Sequence, residues 1–232
     1  AGIDRLTHQP LSFSVSETTE GVHIHIIDAE LMGKGEKEKK DLYIEGVQNN
    51  GIINHYEYII NSEGTIEIRH VLKPEGKMPL WFPRIGLTLT VSDALDQVKW
   101  YGRGPQENYP DRKTGYPTGI YASTVQAMYE PYLMPQDYGL RTDVRWLQLT
   151  TDKGIGLQFK MNEWFNFNIY PYSTDNLTKA MYTYQLQKQK GMTLNLDYAT
   201  TGVGCTARGV FGAYKAMPQE YRRTISIKPM MK

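Results

Sequence analysis

Apolar and polar residues alternate in short runs along most of the chain, and that pattern admits few folds. Leu11, Phe13 and Val15 fall on one side of a period-two repeat and Ser12, Ser14 and Ser16 on the other, which predicts a half-buried strand. Val22, Ile24 and Ile26 repeat the pattern, with His23 and His25 predicted to face outward. Two more strands are predicted around 52–60 and 65–72, joined by the turn Asn61-Ser62-Glu63-Gly64. Ile85, Leu87, Leu89 and Val91 alternate with Gly86, Thr88 and Thr90. Later strands are predicted at 144–150, 156–161, 165–169, 192–198 and 224–227, while 177–186 suits a short helix or a strand equally. There is no long amphipathic helix pattern and no internal repeat. Many short strands separated by turn signals predict an all-β antiparallel sandwich. No compositional break divides it, so a single domain over 1–232 is expected.

Composition removes several classes of function. Lys and Arg total 26 against 25 for Asp and Glu, a net charge of +1, so neither nucleic acid nor an anionic membrane is an expected partner. No apolar run is long enough to span a bilayer. The one cysteine, Cys205, excludes an internal disulfide. The 17 Tyr, 6 Phe and 4 Trp supply large apolar area for a core. The run Gly-Lys-Gly-Glu-Lys-Glu-Lys-Lys at 33–40 reads as a solvated hairpin tip.

The least ordinary stretch is 100–112. Trp100 leads into Gly102, Gly104 and Pro105, then Gln106-Glu107-Asn108, then Tyr109-Pro110-Asp111-Arg112. Glycines open backbone angles that other residues avoid, and prolines fix φ, so a rigid loop is expected. Glu107 and Asp111 are expected to accept from arginine and backbone donors rather than to act as catalysts. Residues 114–142 look irregular and hold Tyr116, Tyr121, Tyr129, Tyr132 and Tyr138. His23 and His25, at i and i+2, are near enough to share a metal, but no third ligand is evident in the sequence, so no metal site is expected. His8, His55 and His70 are scattered, Glu163 beside Trp164 shows no partner, and no phosphate-cradling glycine motif occurs.

The string Gly104-Pro105-Gln106-Glu107-Asn108-Tyr109-Pro110-Asp111-Arg112, after a Trp, resembles a motif of the final domain of glycoside hydrolase family 2 β-galactosidases of the large bacterial type. Other pieces resemble that domain in the same order. They are Ala1 to Leu6, Arg84-Ile85-Gly86-Leu87, Pro131-Tyr132, Pro135-Gln136 with Asp137 where Glu is usual, and Gly139-Leu140-Arg141. Phe165-Asn166-Phe167, Pro171-Tyr172-Ser173, Leu194 with Asp197, and Gly202-Val203-Gly204 complete the series.

The resemblance implies an antiparallel supersandwich like the galactose mutarotase-like fold. It implies a domain that packs on a catalytic (β/α)₈ barrel elsewhere in the polypeptide and helps to wall the pocket for a β-galactoside. It implies no catalytic residue and no cofactor on this chain. After Gly204 the likeness fails, because a Trp usual in the family is absent. Phe211, Tyr214 and Arg208 are the substrate-binding candidates there, since sugars dock on flat apolar faces with polar groups at the edge. Met181 stands where the family often has His.

The start reads as a cut inside a longer protein that removes the domain's first strands. Exposed sheet edges that favour self-association are therefore expected. The compartment stays open between bacterial cytoplasm and periplasm. Two other readings remain: an independent carbohydrate-binding module, and a mutarotase-like enzyme, which would need His and a carboxylate converging in one cleft.

Overall fold

The structure is a computed structural model that describes residues 6–32, 50–205 and 209–231. The charged run 33–40 and Arg208 lie outside the described residues. The fold is an antiparallel β-sandwich, and its contacts fall into two compact units.

The first unit takes the described residues up to Phe82 together with Met217–Ile227. Its strands are β1 (Leu6–Thr18), β2 (Gly21–Met32), β3 (Gly51–Ile60) and β4 (Ile66–Glu75), joined by β11 (Tyr221–Met230) next to β4. Each neighbour pairs antiparallel, in the order β1-β2-β3-β4-β11. The turn from β3 to β4 forms as predicted. Asn61 Oδ1 accepts from the Glu63 and Thr65 N–H groups, and Gly64 takes a φ of 75°.

Two expectations in this unit are overturned. The apolar side of β1 is not half-buried: Phe13 is 69% exposed and Val15 54%. Phe13 stands opposite Ile26, and Val15 opposite Ile24. On the same face Ile68 of β4 and Ile225 of β11 are buried, so cover falls away toward the edge strand. Period-two alternation gives the face a side chain shares but not how far the covering layer reaches. His23 is likewise buried rather than outward, because Glu57 of β3 stands against it.

The second unit takes Pro83–Ala216 and the described residues from Lys228 on. Its strands are β5 (Arg84–Val91), β6 (Gln97–Arg103), β7 (Thr118–Thr124), β8 (Arg141–Thr150), β9 (Gly156–Tyr170) and β10 (Met192–Thr200). They pair antiparallel in the order β5-β10-β9-β8-β6-β7. Trp100, Leu140, Val144, Leu147, Phe159, Phe165, Phe167 and Leu194 are almost wholly buried in it. Trp100 meets the Phe167 edge at 5.9 Å and Tyr121 at 5.5 Å.

The strands predicted at 156–161 and 165–169 are one strand, β9. Lys160 pairs Trp146 and Phe165 pairs Val144, so β9 advances five residues while β8 retreats two. The surplus is a wide bulge at 161–164, which bends the strand without ending it. The irregular region 114–142 likewise contains strand β7. The ambiguous 177–186 segment is helical: α1 (Thr174–Lys179) and then a 3₁₀ turn, Thr183–Gln185. Ser173 caps α1 by accepting from the Asn176 N–H. Leu177 packs with Tyr138 and Tyr170, and that buried contact fixes the short helix.

Candidate functional site

The motif loop after β6 is held by hydrogen bonds among its own residues and to residues 132–142 and 203–204. It contains a cis peptide between Gly104 and Pro105. A Cβ at Gly104 would lie 2.8 Å from the Tyr121 ring and 3.0 Å from Trp100, so only glycine fits there. Trp100 Nε1 donates to the Arg103 carbonyl at 3.0 Å. Asn108 is fully buried. Its N–H donates to the Leu140 carbonyl at 2.8 Å, and its Oδ1 accepts from the Thr142 N–H and hydroxyl.

Glu107 is buried and has four donors. Arg112 Nη2 reaches Oε1 at 2.8 Å, the Gly139 N–H reaches Oε2 at 2.9 Å and the Tyr109 hydroxyl reaches Oε2 at 3.2 Å. The Tyr132 hydroxyl also donates to Oε1. Arg112 stacks over the Tyr109 ring at 5.1 Å. Asp111 accepts from two backbone groups, Val203 N–H at 3.1 Å and Gly204 N–H at 2.7 Å. The Glu107 carboxylate, with four donors, has few lone pairs left for a proton or a substrate.

A second cluster adjoins this loop. Arg84, at the start of β5, donates Nε to Asp197 Oδ1 at 3.1 Å and Nη2 to Oδ2 at 2.6 Å. Its Nη1 reaches Asp137 Oδ1 at 3.2 Å. Burial opposes the Arg84 charge, but Asp197 and Asp137 outweigh it and hold its pKa above the ordinary value. Burial raises the Asp197 carboxyl above its ordinary value, and the bidentate Arg84 fork offsets only part of that. Asp137 also accepts from Asn168 Nδ2 and the Tyr170 hydroxyl. Asn195 bonds Asn168 and Tyr170 in turn. The sequence shows these residues singly; it does not show that β5, β9 and β10 bring them together.

The two clusters wall one cleft of about 530 Å³, bounded by Arg84, Tyr109, Arg112, Tyr132 and Asp137, with Val203 at its side. The only titratable groups among its lining residues are arginine, tyrosine and aspartate. All five histidines of the chain lie at or before His70.

Of the substrate-binding candidates, Phe211 is 66% exposed and Tyr214 40% exposed. Neither lines that cleft. The Gly202 N–H donates to the Tyr214 carbonyl at 2.9 Å, which ties the segment back to the loop that Asp111 holds. Arg208 is outside the described residues. Met181 is exposed. The tyrosines of 114–142 do not form one outward set: Tyr138 is buried against Tyr170, Tyr129 and Tyr132 pack on that cluster, and Tyr121 packs on Trp100.

A second cleft, of about 640 Å³, forms at the β9 bulge, lined by Arg145, Met161, Asn162, Glu163 and Trp164. The Arg145 guanidinium lies 4.1 Å from the Trp164 ring centre and 5.1 Å from that of Tyr101. In the first unit Glu57 Oε1 faces His23 Nδ1 at 3.3 Å and His25 Nε2 at 3.9 Å. The sequence offered no third group beside the two histidines; strand pairing supplies one.

The fold and site define an antiparallel β-sandwich whose motif carboxylates are spent on its own loops, beside a cleft walled by arginine and aspartate. Residues 9–227 match the family model of the beta galactosidase small chain, and the chain belongs to that family. It is 38% identical over 147 residues to a beta-galactosidase of Priestia megaterium, covering 63% of this chain and 14% of that one. It is 39% identical over 122 residues to that of Vibrio cholerae, covering 53% and 11%. For Pseudoalteromonas haloplanktis the figures are 34% over 148 residues, 63% and 14%. The matched stretch is thus a small part of these relatives' length. Among solved structures, a GalM/aldose epimerase homologue from C. elegans aligns with 95% of this chain and 69% of its own, at 12% identity and a TM-score of 0.44.

Proposed function

We propose that this chain is a non-catalytic, C-terminal part of a glycoside hydrolase family 2 β-galactosidase. It packs on a catalytic barrel carried by the rest of the polypeptide and helps to wall the β-galactoside pocket. Hydrolysis is performed by carboxylates outside this chain. The observation that carries the reading is the commitment of the motif acids: Glu107 accepts from four donors and Asp111 from two backbone N–H groups. A retaining glycosidase needs one carboxyl free to attack and another free to give up a proton. The relatives' greater length supports the presence of other domains.

The segment after Gly204 is the sugar-facing part. Phe211 and Tyr214 offer exposed rings there, and Asp111 fixes the loop at its root. Phe211→Ala and Tyr214→Ala, made in the whole β-galactosidase, are expected to raise KM for a β-galactoside about 5- to 30-fold, the loss of roughly 1–2 kcal/mol of ring contact. Melting temperature should not change. Unchanged KM in both variants would overturn the pocket-wall role. The cleft between the two clusters has no imidazole, so it lacks the His–carboxylate pair that a mutarotase-like reaction needs.

A further inference from the structure

The polar face of the first unit brings together three groups that none of the roles above uses. His23 and His25 stand two apart on β2 and so share a face. His25 is directly opposite Glu57 on β3, and Glu57 is directly opposite Arg69 on β4. The two imidazole rings stack at 6.3 Å with an interplanar angle of 24°. One donor atom from each of His23, His25 and Glu57 lies within 4.8 Å of the others. Glu57 Oε1 is the hub, 3.3 Å from His23 Nδ1 and 3.9 Å from His25 Nε2.

Its other oxygen is engaged. Arg69 Nη1 holds Oε2 at 3.1 Å, and Arg69 Nε is itself bound to Glu67 at 2.8 Å. The carboxylate is thereby turned to present one oxygen to the imidazoles. His23 is buried and its Nε2 has no hydrogen-bond partner among the described residues, while His25 is half exposed. A small solute can thus enter from the His25 side and meet a ring whose polar atoms the protein does not fully satisfy.

We propose that His23, His25 and Glu57 form a site for a borderline divalent cation of the zinc type, which clips β2 to β3. Two imidazole nitrogens and one carboxylate oxygen form the donor set that such ions prefer over Mg²⁺ or Ca²⁺. Ligand bonds of about 2 Å in tetrahedral array place donor atoms roughly 3.3 Å apart, which the His23–Glu57 separation of 3.3 Å matches and the His25–Glu57 separation of 3.9 Å exceeds. Small side-chain rotations close the rest, with no change in strand register. Three protein ligands leave a coordination position to water. The Arg69 charge beside Glu57 weakens cation binding, so the affinity is micromolar rather than that of a closed four-ligand site.

The experiment is equilibrium dialysis of the chelator-treated full chain against Zn²⁺ alone, with melting followed in parallel. The proposal requires one Zn²⁺ per chain below about 100 μM and a higher melting temperature with zinc. His25→Ala removes an exposed ligand and should weaken binding at least tenfold and abolish the zinc-dependent shift. Glu57→Gln should also weaken binding at least tenfold, while Cys205→Ser and His55→Ala should not change it. If His25→Ala fails to fold without zinc, Co²⁺ titration of the unaltered chain decides instead: a visible absorption band that Zn²⁺ displaces supports the site. No stoichiometric zinc, binding undiminished in His25→Ala, binding lost in Cys205→Ser, or no such cobalt band would overturn it.

Discussion

The Asp111 carboxylate occupies the space in which a side chain at Gly202 would begin. A Cβ built at 202 would stand 2.3–2.5 Å from the three carboxylate atoms, and the same two oxygens accept the N–H groups of Val203 and Gly204. The motif loop and the Gly202 loop therefore fit only in the absence of a side chain at 202. Gly202→Ala is expected to cost roughly 1–3 kcal/mol, because neither partner can move without losing hydrogen bonds. Gly212, where a Cβ would meet nothing within 4 Å, is the control. Urea unfolding should show Gly212→Ala within about 0.5 kcal/mol of the parent chain.

Glu107 anchors the loop from within. Glu107→Ala would leave Arg112 without its carboxylate and the buried Gly139 N–H without an acceptor. A loss of about 2–4 kcal/mol is expected, chiefly from the buried Gly139 N–H and Tyr109 hydroxyl left without an acceptor, since the half-exposed Arg112 can turn to water. Tyr132→Phe removes one donor and should cost about 1 kcal/mol. Equal, small effects in both variants would contradict this role for Glu107.

His70 gives the fold a pH dependence. Burial, with a smaller contribution from His55, lowers its pKa from 6.5 to about 4. The neutral ring lies 4.2 Å from Tyr56, and its Nε2 is 3.1 Å from Asn54 Oδ1. Below pH 6.5 the unfolded chain takes up a proton that the folded chain refuses until about pH 4. Stability is therefore full above 6.5 and falls as the pH drops toward 4, by about 3 kcal/mol from this one group. NMR titration should find the His70 imidazole still neutral at pH 5. A His70 ring that titrates near 6.5 would contradict it.

The open apolar side of β1 favours association with another surface. Phe13 and Val15 are exposed on a strand that, among the described residues, pairs only with β2. The isolated chain is expected to self-associate as its concentration rises, and Phe13→Lys to reduce this. Sedimentation velocity across a hundredfold range of concentration checks it. A strictly monomeric parent chain would contradict it.

Alternation placed the strands well, because side-chain period is local: β3, β4, β5 and β10 lie within a few residues of where Ile52 to Ile60, Thr65 to Leu72, Ile85 to Val91 and Met192 to Tyr198 predict them. Joining and covering were not legible. The β9 bulge interrupts the period at 161–164, so one strand read as two. Phe13 carries the pattern of a buried residue on a face whose cover stops short of it. The same limit governs the sites. The donors around Glu107 within its own loop, Arg112 and Tyr109, are near in sequence and were foreseeable. Arg84 and Asp197 stand 113 residues apart, and Glu57 is 34 from His23. Those contacts depend on which strands pair and in what register, and a single sequence does not show this.

The central claim is that this chain completes a β-galactosidase without holding its catalytic pair. Hydrolysis of a chromogenic β-galactoside by the chain alone, and again after the rest of the polypeptide is added, tests it most directly. No turnover alone and turnover on mixing is the predicted result. Turnover by the chain alone, lost in Glu107→Gln or Asp111→Asn variants that remain folded, would contradict the account and place catalysis on the motif loop.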